Sequence, residues 1–261
     1  MVVEVVVVRQ LADNYAYLIA DPTNGVAGVV DCAEAEPVLA AVRERGWRLV
    51  AVLATHHHYD HVGGNLDLLA ADPKLRVYGS TADAPRIPGI TDRLSDGDPV
   101  TIGSVSGRAL FIPAHTSGHV AYFFPSEGIV FTGDTLFAAG CGRLFEGDAA
   151  QMMRSLGLLA ELPPSTKVYC GHEYTEKNLR FAQMLEPDSA TVGAKLARVQ
   201  ALRAAGKPTV PSTIAEEHAT NPFLRVREPA LAAGAAARSL NLDRNDPVAV
   251  FAAIRSLKDR F

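Results

Sequence analysis

The sequence predicts an α+β protein in which a strand-rich domain, residues 1–174, precedes a small helical domain, residues 175–261. The length of 261 residues suits one large domain, or one domain with a small appendage. The composition, 48% hydrophobic and 21% charged, is typical of a globular protein. Short β-branched segments separated by turn residues fill the first part of the chain, and helical periodicity replaces them after residue 174.

The elements of the first domain follow from local patterns. Alternating or continuous apolar runs of four to eight residues predict strands, and apolar residues at helical spacing predict helices. Gly46 stands just past one predicted helix, and Pro163 closes another, as helix ends commonly require. The predicted strands cover residues 2–8, 15–20, 28–31, 49–54, 76–78, 99–102, 107–112, 120–124, 129–132 and 167–170, and the predicted helices cover 36–45, 65–71 and 148–162.

The second domain contains few β-branched residues. Helices are predicted over residues 175–185, 188–205 and 246–257. A proline-rich connector, residues 206–213, separates the second of these helices from an alanine-rich stretch at 230–239. The boundary between the domains is therefore expected near residue 174.

Charge and cysteine content limit the possible environments and partners. The net charge of −4 gives no general attraction to nucleic acid or to an anionic membrane. Three cysteines are too few for a disulfide framework, and an odd number cannot all pair within the chain. The apolar segment 2–8 lacks a basic flank and is too short for a signal peptide or a membrane span. We expect a cytoplasmic monomer that binds neither nucleic acid nor membrane.

Charge is unevenly distributed along the chain. Residues 1–174 contain 12 basic and 20 acidic side chains, a net of −8, whereas residues 175–261 contain 13 and 9, a net of +4. An acidic body with a basic C-terminal part suits an anionic ligand bound where the two meet. The alternative interpretation is that the distribution serves only solubility.

Histidine is concentrated in a way that indicates a metal site. Seven of the eight histidines fall in three short segments at the ends of predicted strands, and histidine is the most common metal ligand. His56 and His58 are two residues apart, so an extended backbone points both to one side, where they can converge on one ion. Asp60 and His61 are adjacent and fit a loop that turns into a helix, where they can face a second ion. His57 points away and is interpreted as structural.

The remaining ligands must come from segments further along the chain. His115 can complete a three-histidine set with the first pair, and His172 can join the second pair. Asp134 is a carboxylate at a strand end and can bridge two ions. Nitrogen and oxygen ligands suit zinc, iron or manganese, and we expect two divalent ions per chain, with zinc preferred. His119 is a candidate for orienting a ligand by a hydrogen bond, and His218 is interpreted as a capping or surface residue.

The histidine-rich run resembles the signature of the metallo-β-lactamase superfamily, and longer stretches resemble one family within it, glyoxalase II or hydroxyacylglutathione hydrolase. The resemblance implies a four-layer αβ/βα sandwich with the site at the sheet edges, followed by a helical domain. Three of the matching stretches contain no metal motif, so they separate this family from its relatives. The matching stretches are residues 55–65, 115–119, 131–142, 169–174, 210–217, 221–228 and 254–261.

The resemblance also implies a reaction, the hydrolysis of the thioester S-D-lactoylglutathione to D-lactate and glutathione in methylglyoxal detoxification. The metal ligands of the family correspond to the seven residues identified above. A hydroxide held between two ions is expected to attack the thioester carbonyl, with Asp60 and Asp134 as catalytic carboxylates and Asp60 accepting a proton from water.

The glutathione contacts of the family correspond to Arg143, Phe145, Tyr174, Arg255 and Lys258. Arg255 and Lys258 are three residues apart on a predicted helix and hence share one face, where they can bind a carboxylate or form an ordinary solvated surface. The family often has lysine where Arg143 stands and tyrosine where Phe145 stands. Arg143 keeps the positive charge, whereas Phe145 lacks a hydroxyl that could bond to glutathione. Cys141 is interpreted as a packing residue.

Other activities on the same scaffold are alternatives. An iron-dependent persulfide dioxygenase would hold a single iron and consume oxygen, and the complete set of Asp60, His61 and His172 argues against it. A lactamase and a noncatalytic binding protein for glutathione conjugates are further possibilities. A nuclease of the superfamily is disfavoured, because those enzymes have an extra domain and basic grooves that this short acidic chain lacks.

Overall fold

The computed structural model describes residues 3–261, which divide into two compact units. Unit 1 contains the described residues up to Ile112 together with Thr116–Gly133, and unit 2 contains Pro113–His115 and Asp134–Phe261. Each unit has its own secondary structure and core. The predicted domain boundary near residue 174 stays a prediction.

A mixed sheet forms the first half of unit 1. The strands β1, β2 and β3 are antiparallel neighbours, and β4, β5 and β6 continue the sheet in parallel, in the order β1-β2-β3-β4-β5-β6. Helices lie in the connections between the parallel strands, as such crossovers require. The bounds are β1 (Glu4–Gln10), β2 (Asn14–Asp21), β3 (Val26–Val30), α1 (Ala35–Glu44), β4 (Arg48–Leu53), α2 (Tyr59–Val62), α3 (Asn65–Ala71), β5 (Arg76–Ser80) and β6 (Asp92–Leu94).

Four further strands of unit 1 pack against one face of this sheet. The strands β7 (Pro99–Ile102), β8 (Val105–Phe111), β9 (Val120–Phe124) and β10 (Ile129–Gly133) form consecutive antiparallel pairs. The packing is close, because a Cβ added at Gly28 of β3 would lie 2.5 Å from the side chain of Ile102. The rings of Tyr17 and Phe131 also meet, with centroids 5.5 Å apart.

The helices α1 and α3 cover the other face of the mixed sheet. Val38 and Val42 of α1 and Leu68 of α3 are buried in one core with residues of β2, β3 and β4. Every residue of β2 and β3 is buried, because both faces of these strands are covered. The layers place the C-terminal ends of β3 and β4, with the polar residues that follow them, at one edge of the sheet.

Unit 2 consists mainly of helices. The hairpin β11 (Leu136–Phe137) and β12 (Gly140–Cys141) and the pair β13 (Lys167–Cys170) and β14 (Ser212–Thr213) are its short strands. Asp148, Ser189 and Asp246 cap their helices through side-chain oxygens. The helices are α4 (Ala149–Ala160), α5 (Thr175–Leu185), α6 (Ala190–Ala204), α7 (Ile214–Thr220), α8 (Pro229–Ala236) and α9 (Pro247–Arg260).

The predicted strands and helices are confirmed, with shifts of a few residues at their ends. The first predicted strand begins at residue 2, which lies outside the described residues, and the described part of β1 runs to Gln10. The strands β6 and β14, the hairpin β11–β12 and the helices α7 and α8 were not predicted, because two or three residues, or a helix of two turns, give too little periodicity. None of the helices in the described part of the chain is both long and apolar enough to cross a membrane.

Candidate functional site

The histidine-rich run lies in unit 1 between the end of β4 and the start of α2. His56 Nε2 lies 3.0 Å from His58 Nδ1, so these two predicted ligands turn their ring nitrogens toward one another. Asp60 and His61 are in the short helix α2, as predicted, with Asp60 Oδ2 3.6 Å from His61 Nε2. The rings of His56 and His61 are also close, with centroids 4.1 Å apart. All four predicted ligands of this run therefore gather within a small volume.

A buried carboxylate that follows β3 orients two of these histidines. Asp31 Oδ2 lies 3.0 Å from His61 Nδ1 and accepts the hydroxyl hydrogen of Thr55 at 2.8 Å. The Thr55 oxygen, having donated to Asp31, accepts from His56 Nδ1 at 3.0 Å. Both histidines thus carry hydrogen on Nδ1, so Nε2 is the nitrogen through which each could bind a cation.

Three further side chains support the run. Asn14 donates from Nδ2 to Asp60 Oδ2 and to the Asp60 carbonyl, both at 3.0 Å, which fixes the carboxylate. His57 Nδ1 lies 2.9 Å from the buried Asp83, in agreement with its structural interpretation. The ring of His119 is buried and stacks on His56, with centroids 4.7 Å apart.

The three other predicted ligands lie in unit 2 and also come together. His115 Nε2 and His172 Nε2 lie 3.6 Å and 3.2 Å from the same oxygen, Oδ2 of Asp134. His115 Nδ1 is 2.9 Å from the carbonyl oxygen of Arg143, which can only accept, so His115 carries its hydrogen there. Its Nε2 lone pair therefore faces a carboxylate oxygen. Two acceptors that face each other fit a cation between them.

The predicted aromatic contacts of glutathione lie beside these ligands. The Tyr174 ring stacks on His172, with centroids 4.7 Å apart and planes within 4°. Phe137, which the sequence did not single out, meets the edge of the Tyr174 ring at 5.4 Å. Phe145 is 61% exposed and contacts His115 edge to face at 5.2 Å.

The predicted basic contacts are linked by one carboxylate. Arg255 is buried and donates to the Cys141 carbonyl at 2.8 Å and to Asp259 at 3.0 Å. The exposed Arg143 lies 3.5 Å from the same carboxylate. The buried Nε of Arg255 makes no hydrogen bond to the described residues. Nε of Arg255 is therefore a buried donor that the bonds to Cys141 and Asp259 do not use.

Lys258 lies in an environment that disfavours its charge. Its Nζ donates to the Lys177 carbonyl at 3.2 Å and lies over the rings of Phe181 and Phe261. Burial, with the nearby positive charges of Lys177 and Arg255, lowers the pKa of Lys258 to about 7. Its protonation state therefore changes near neutral pH.

The remaining predictions concern residues without a proposed chemical role. Cys141 is buried, and burial raises the pKa of its thiol to about 11, so it is a packing residue as expected. His218 is exposed and bonds to the Ala160 carbonyl at 3.0 Å.

Asn14 and Asp31 support predicted ligands but were not predicted from the sequence. Each is a polar residue next to the end of a predicted strand, and that position is a signal that could have identified them.

Comparison with known proteins agrees with both parts of the resemblance. Residues 11–172 match the family model described as metallo-beta-lactamase superfamily. Residues 173–261 match the model described as hydroxyacylglutathione hydrolase C-terminus. The chain is 54% identical over 251 residues to a hydroxyacylglutathione hydrolase of Synechococcus sp. (strain JA-3-3Ab), covering 96% of this chain and 97% of that one.

Solved structures agree on the fold. ETHE1 from Myxococcus xanthus is similar with a TM-score of 0.67 and 26% identity, covering 99% of this chain and 98% of that one. TTHA1623, in a di-iron-bound form, is similar with a TM-score of 0.60 and 28% identity, covering 81% of this chain and 95% of that one. The chain therefore has the metallo-β-lactamase fold with a C-terminal helical domain, as predicted, together with histidine and aspartate groups able to bind a metal ion.

Proposed function

Because the chain belongs to the hydroxyacylglutathione hydrolase family of the metallo-β-lactamase superfamily, we propose that it hydrolyses S-D-lactoylglutathione to D-lactate and glutathione. The observation that carries this proposal is the match to the hydroxyacylglutathione hydrolase C-terminus over residues 173–261, together with high identity along nearly the whole chain. The metallo-β-lactamase fold alone supports many activities, so the C-terminal match supplies the specificity.

The metal set is proposed from the donor chemistry of the two units. His56, His58 and His115 would hold one ion, Asp60, His61 and His172 would hold the other, and Asp134 would bridge them. The proposed ions are two divalent cations, zinc preferred and iron or manganese possible, because imidazole and carboxylate donors suit all three. Bound divalent ions would lower the pKa of water to about 7 and polarise the thioester carbonyl.

The protein groups near Asp60 would prepare the proton transfer. Asn14 donates one hydrogen bond to Asp60 Oδ2 and one to the Asp60 backbone carbonyl, at 3.0 Å each, which would orient the carboxylate to take a proton from water. The thiolate of glutathione leaves readily, because a thiol pKa near 8.5 makes it a good leaving group without a strong general acid. Asp60 therefore needs to act only on the water.

The carboxylates of glutathione call for cationic groups outside the metal set. Arg255 offers its buried Nε, and Lys258 offers an ammonium group on the same helix. Arg143 is exposed, and Asp259 partly neutralises it at 3.5 Å. Tyr174 and Phe145 would line the pocket beside His172 and His115.

The alternatives on this scaffold are less well supported. Relatives that are 52–54% identical over nearly the whole chain are named hydroxyacylglutathione hydrolase. A persulfide dioxygenase with one iron, or a binding protein without activity, is therefore not favoured. We also propose a cytoplasmic monomer that binds neither nucleic acid nor membrane, which size-exclusion chromatography with light scattering and cell fractionation would test.

The direct test is thioester hydrolysis with a defined metal content. The purified chain, loaded with zinc, is expected to cleave S-D-lactoylglutathione and to lose activity on dialysis against a chelator. Restoring zinc should restore the rate, and the recovered activity should saturate near two ions per chain. A fully loaded protein that does not cleave the thioester would contradict the proposal, and oxygen uptake with a glutathione persulfide would support the dioxygenase.

A further inference from the structure

The hairpin β11–β12 in unit 2 stands between two groups of residues of the proposed site. Asp134 precedes it by two residues, and Arg143 follows it by two residues. The Gly142 amide donates to the Thr135 carbonyl at 3.2 Å and closes the base of the hairpin. The position of the hairpin therefore sets the position of both flanking residues.

The hairpin also contacts residues of the site directly. The Phe137 ring meets Tyr174 at 5.4 Å and His172 at 6.0 Å, in both cases edge to face. The Cys141 carbonyl accepts from Arg255 at 2.8 Å. A shift of the hairpin would thus move His172, a predicted metal ligand, together with Tyr174 and Arg255, two predicted substrate contacts.

Glu217 of α7 holds the tip of the hairpin. Ala139 has a positive φ of 56°, an uncommon conformation for alanine, and its amide donates to Glu217 Oε2 at 2.7 Å. The other oxygen, Oε1, accepts from Lys195 of α6 at 2.9 Å. Glu217 is fully buried and Lys195 is 7% exposed, so this is a buried ion pair.

Two asparagines complete the support of the tip. Asn221 donates from Nδ2 to the carbonyls of Phe137 and Gly140, at 3.2 Å and 2.9 Å. Asn178 of α5 donates to the Ala138 carbonyl at 3.1 Å. A Cβ added at Gly140 would lie 2.5 Å from the Asn178 amide nitrogen, so helix and hairpin are in close contact.

Stability alone does not account for a charged pair in this place. Burying an ion pair costs desolvation that the mutual attraction of the charges often fails to offset, and apolar replacements are frequently as stable. A carboxylate aimed at a backbone amide does provide a strong and directional hydrogen bond. The pair is therefore better explained by the orientation it imposes on the hairpin.

We propose that Glu217, supported by Lys195 and Asn221, is a positioning residue for the hydrolytic reaction, because it fixes the hairpin that carries Phe137 and the Cys141 carbonyl. Through these two groups it orients His172, Tyr174 and Arg255. The hydrogen bonds of Glu217 run to Ala139, Lys195 and Asn221, none of which is a predicted metal ligand or substrate contact. The inference rests on the proposed thioester hydrolysis for its kinetic consequence, but the effect on the hairpin is independent of the reaction.

The test compares Glu217→Gln with a matched control, Glu186→Gln. Glu186 is also buried and pairs with Arg225 at 2.6 Å, but it does not contact the hairpin. In Glu217→Gln, Lys195 attracts the single remaining oxygen, and the amide group then faces the Ala139 amide without an acceptor. We expect amide hydrogen exchange in residues 136–142 to accelerate at least about tenfold, with KM raised and kcat lowered, while Glu186→Gln leaves all three unchanged.

A second substitution separates positioning from loss of structure. In the double variant Glu217→Gln with Lys195→Met, the glutamine oxygen is free to turn to Ala139, so slow exchange and kinetic constants should recover toward those of the unmodified chain. If Glu217→Gln does not fold, Asn221→Ala removes the hydrogen bonds from Asn221 to the Phe137 and Gly140 carbonyls and to Glu217 Oε2, and the same changes are expected.

The exchange rates and the kinetic constants of the variants test different parts of the proposal. Fast hairpin exchange with unchanged KM and kcat would overturn the positioning role, and unchanged exchange would show that Glu217 does not hold the hairpin. Equal kinetic losses in Glu186→Gln would indicate general destabilisation and also overturn the proposal. If the unmodified chain does not cleave the thioester, the proposed function fails, and the exchange measurement still tests the hairpin support.

Discussion

The carboxylate of Asp31 lies 3.0 Å from Nδ1 of His61 and, through the Thr55 hydroxyl, also fixes the ring of His56. One buried acid thus sets the tautomer of two predicted ligands. It lies just past the end of β3 at a φ of 53°, a backbone conformation that aspartate adopts more readily than most residues with a side chain. Aspartate can therefore occupy this position and still direct its carboxylate at Thr55 and His61.

Asp31→Asn should weaken metal binding. The NH2 group of the asparagine would face one of the donors that the Asp31 carboxylate accepts from. This would favour the His61 tautomer that carries its hydrogen on Nε2, the nitrogen proposed to bind the metal. Loss of such an outer carboxylate typically costs about 10- to 100-fold in metal affinity, which competition with a chromophoric chelator would measure.

The control for this substitution is Asp21→Asn. Asp21 is a buried acid of the same unit, and hydrogen bonds from Ser104 and Asn24 hold the pKa of its carboxyl well below the usual range. It contacts none of the predicted ligands in the described structure, so metal affinity should not change. Wild-type affinity in Asp31→Asn would contradict the orienting role.

Asn14→Ala should slow the reaction more than it destabilises the fold. The two hydrogen bonds from Asn14 fix Asp60, and without them the carboxylate can rotate away from the attacking water. General acid–base groups contribute about 100- to 10,000-fold, so misplacing one should lower kcat by about tenfold or more.

Steady-state kinetics on zinc-loaded protein would measure this effect. Asn24→Ala is the matched control, because Asn24 donates in the same way to Asp21, at 2.7 Å, away from the histidines. A kcat in Asn14→Ala equal to that of Asn24→Ala would speak against a role for Asn14 in holding Asp60.

Local sequence patterns predicted most of the secondary structure and the clustering of ligands within each unit. The apolar run of β4 and the histidines that follow it are contiguous, so spacing alone predicted that His56 and His58 face each other. The residues that hold the site in place could not be predicted in this way. Asp31 is 30 residues from His61 in the sequence, and Glu217 is 78 residues from Ala139. No local periodicity encodes such contacts, which depend on how strands and helices pack.

Phe145→Tyr should improve glutathione binding. The family often has tyrosine at this position, and the substitution restores a hydroxyl that could bond to glutathione. The ring is 61% exposed and packs on His115, so a para hydroxyl can be added without a steric conflict. A net hydrogen bond of about 0.5–1.5 kcal/mol corresponds to a fall in KM of about two- to tenfold. Phe145→Leu, which removes the ring but adds no hydroxyl, serves as the control. An unchanged KM in Phe145→Tyr would mean that a hydroxyl at this position makes no bond with the substrate.

The pH dependence of KM should reflect Lys258. Burial and the neighbouring charges of Lys177 and Arg255 lower the pKa of Lys258 to about 7, so the side chain is charged below neutral pH and loses its charge as the pH rises. A substrate carboxylate binds the charged form, and at pH 8 only about one-tenth of the lysine is charged, so KM should rise by up to about tenfold between pH 6 and pH 8. Lys258→Arg keeps its charge throughout this range, because the guanidinium pKa exceeds about 12. The variant should therefore show a nearly constant KM, measured at three pH values with the uncatalysed rate subtracted. The same rise in KM in Lys258→Arg and in the unmodified chain would assign the titration to another group.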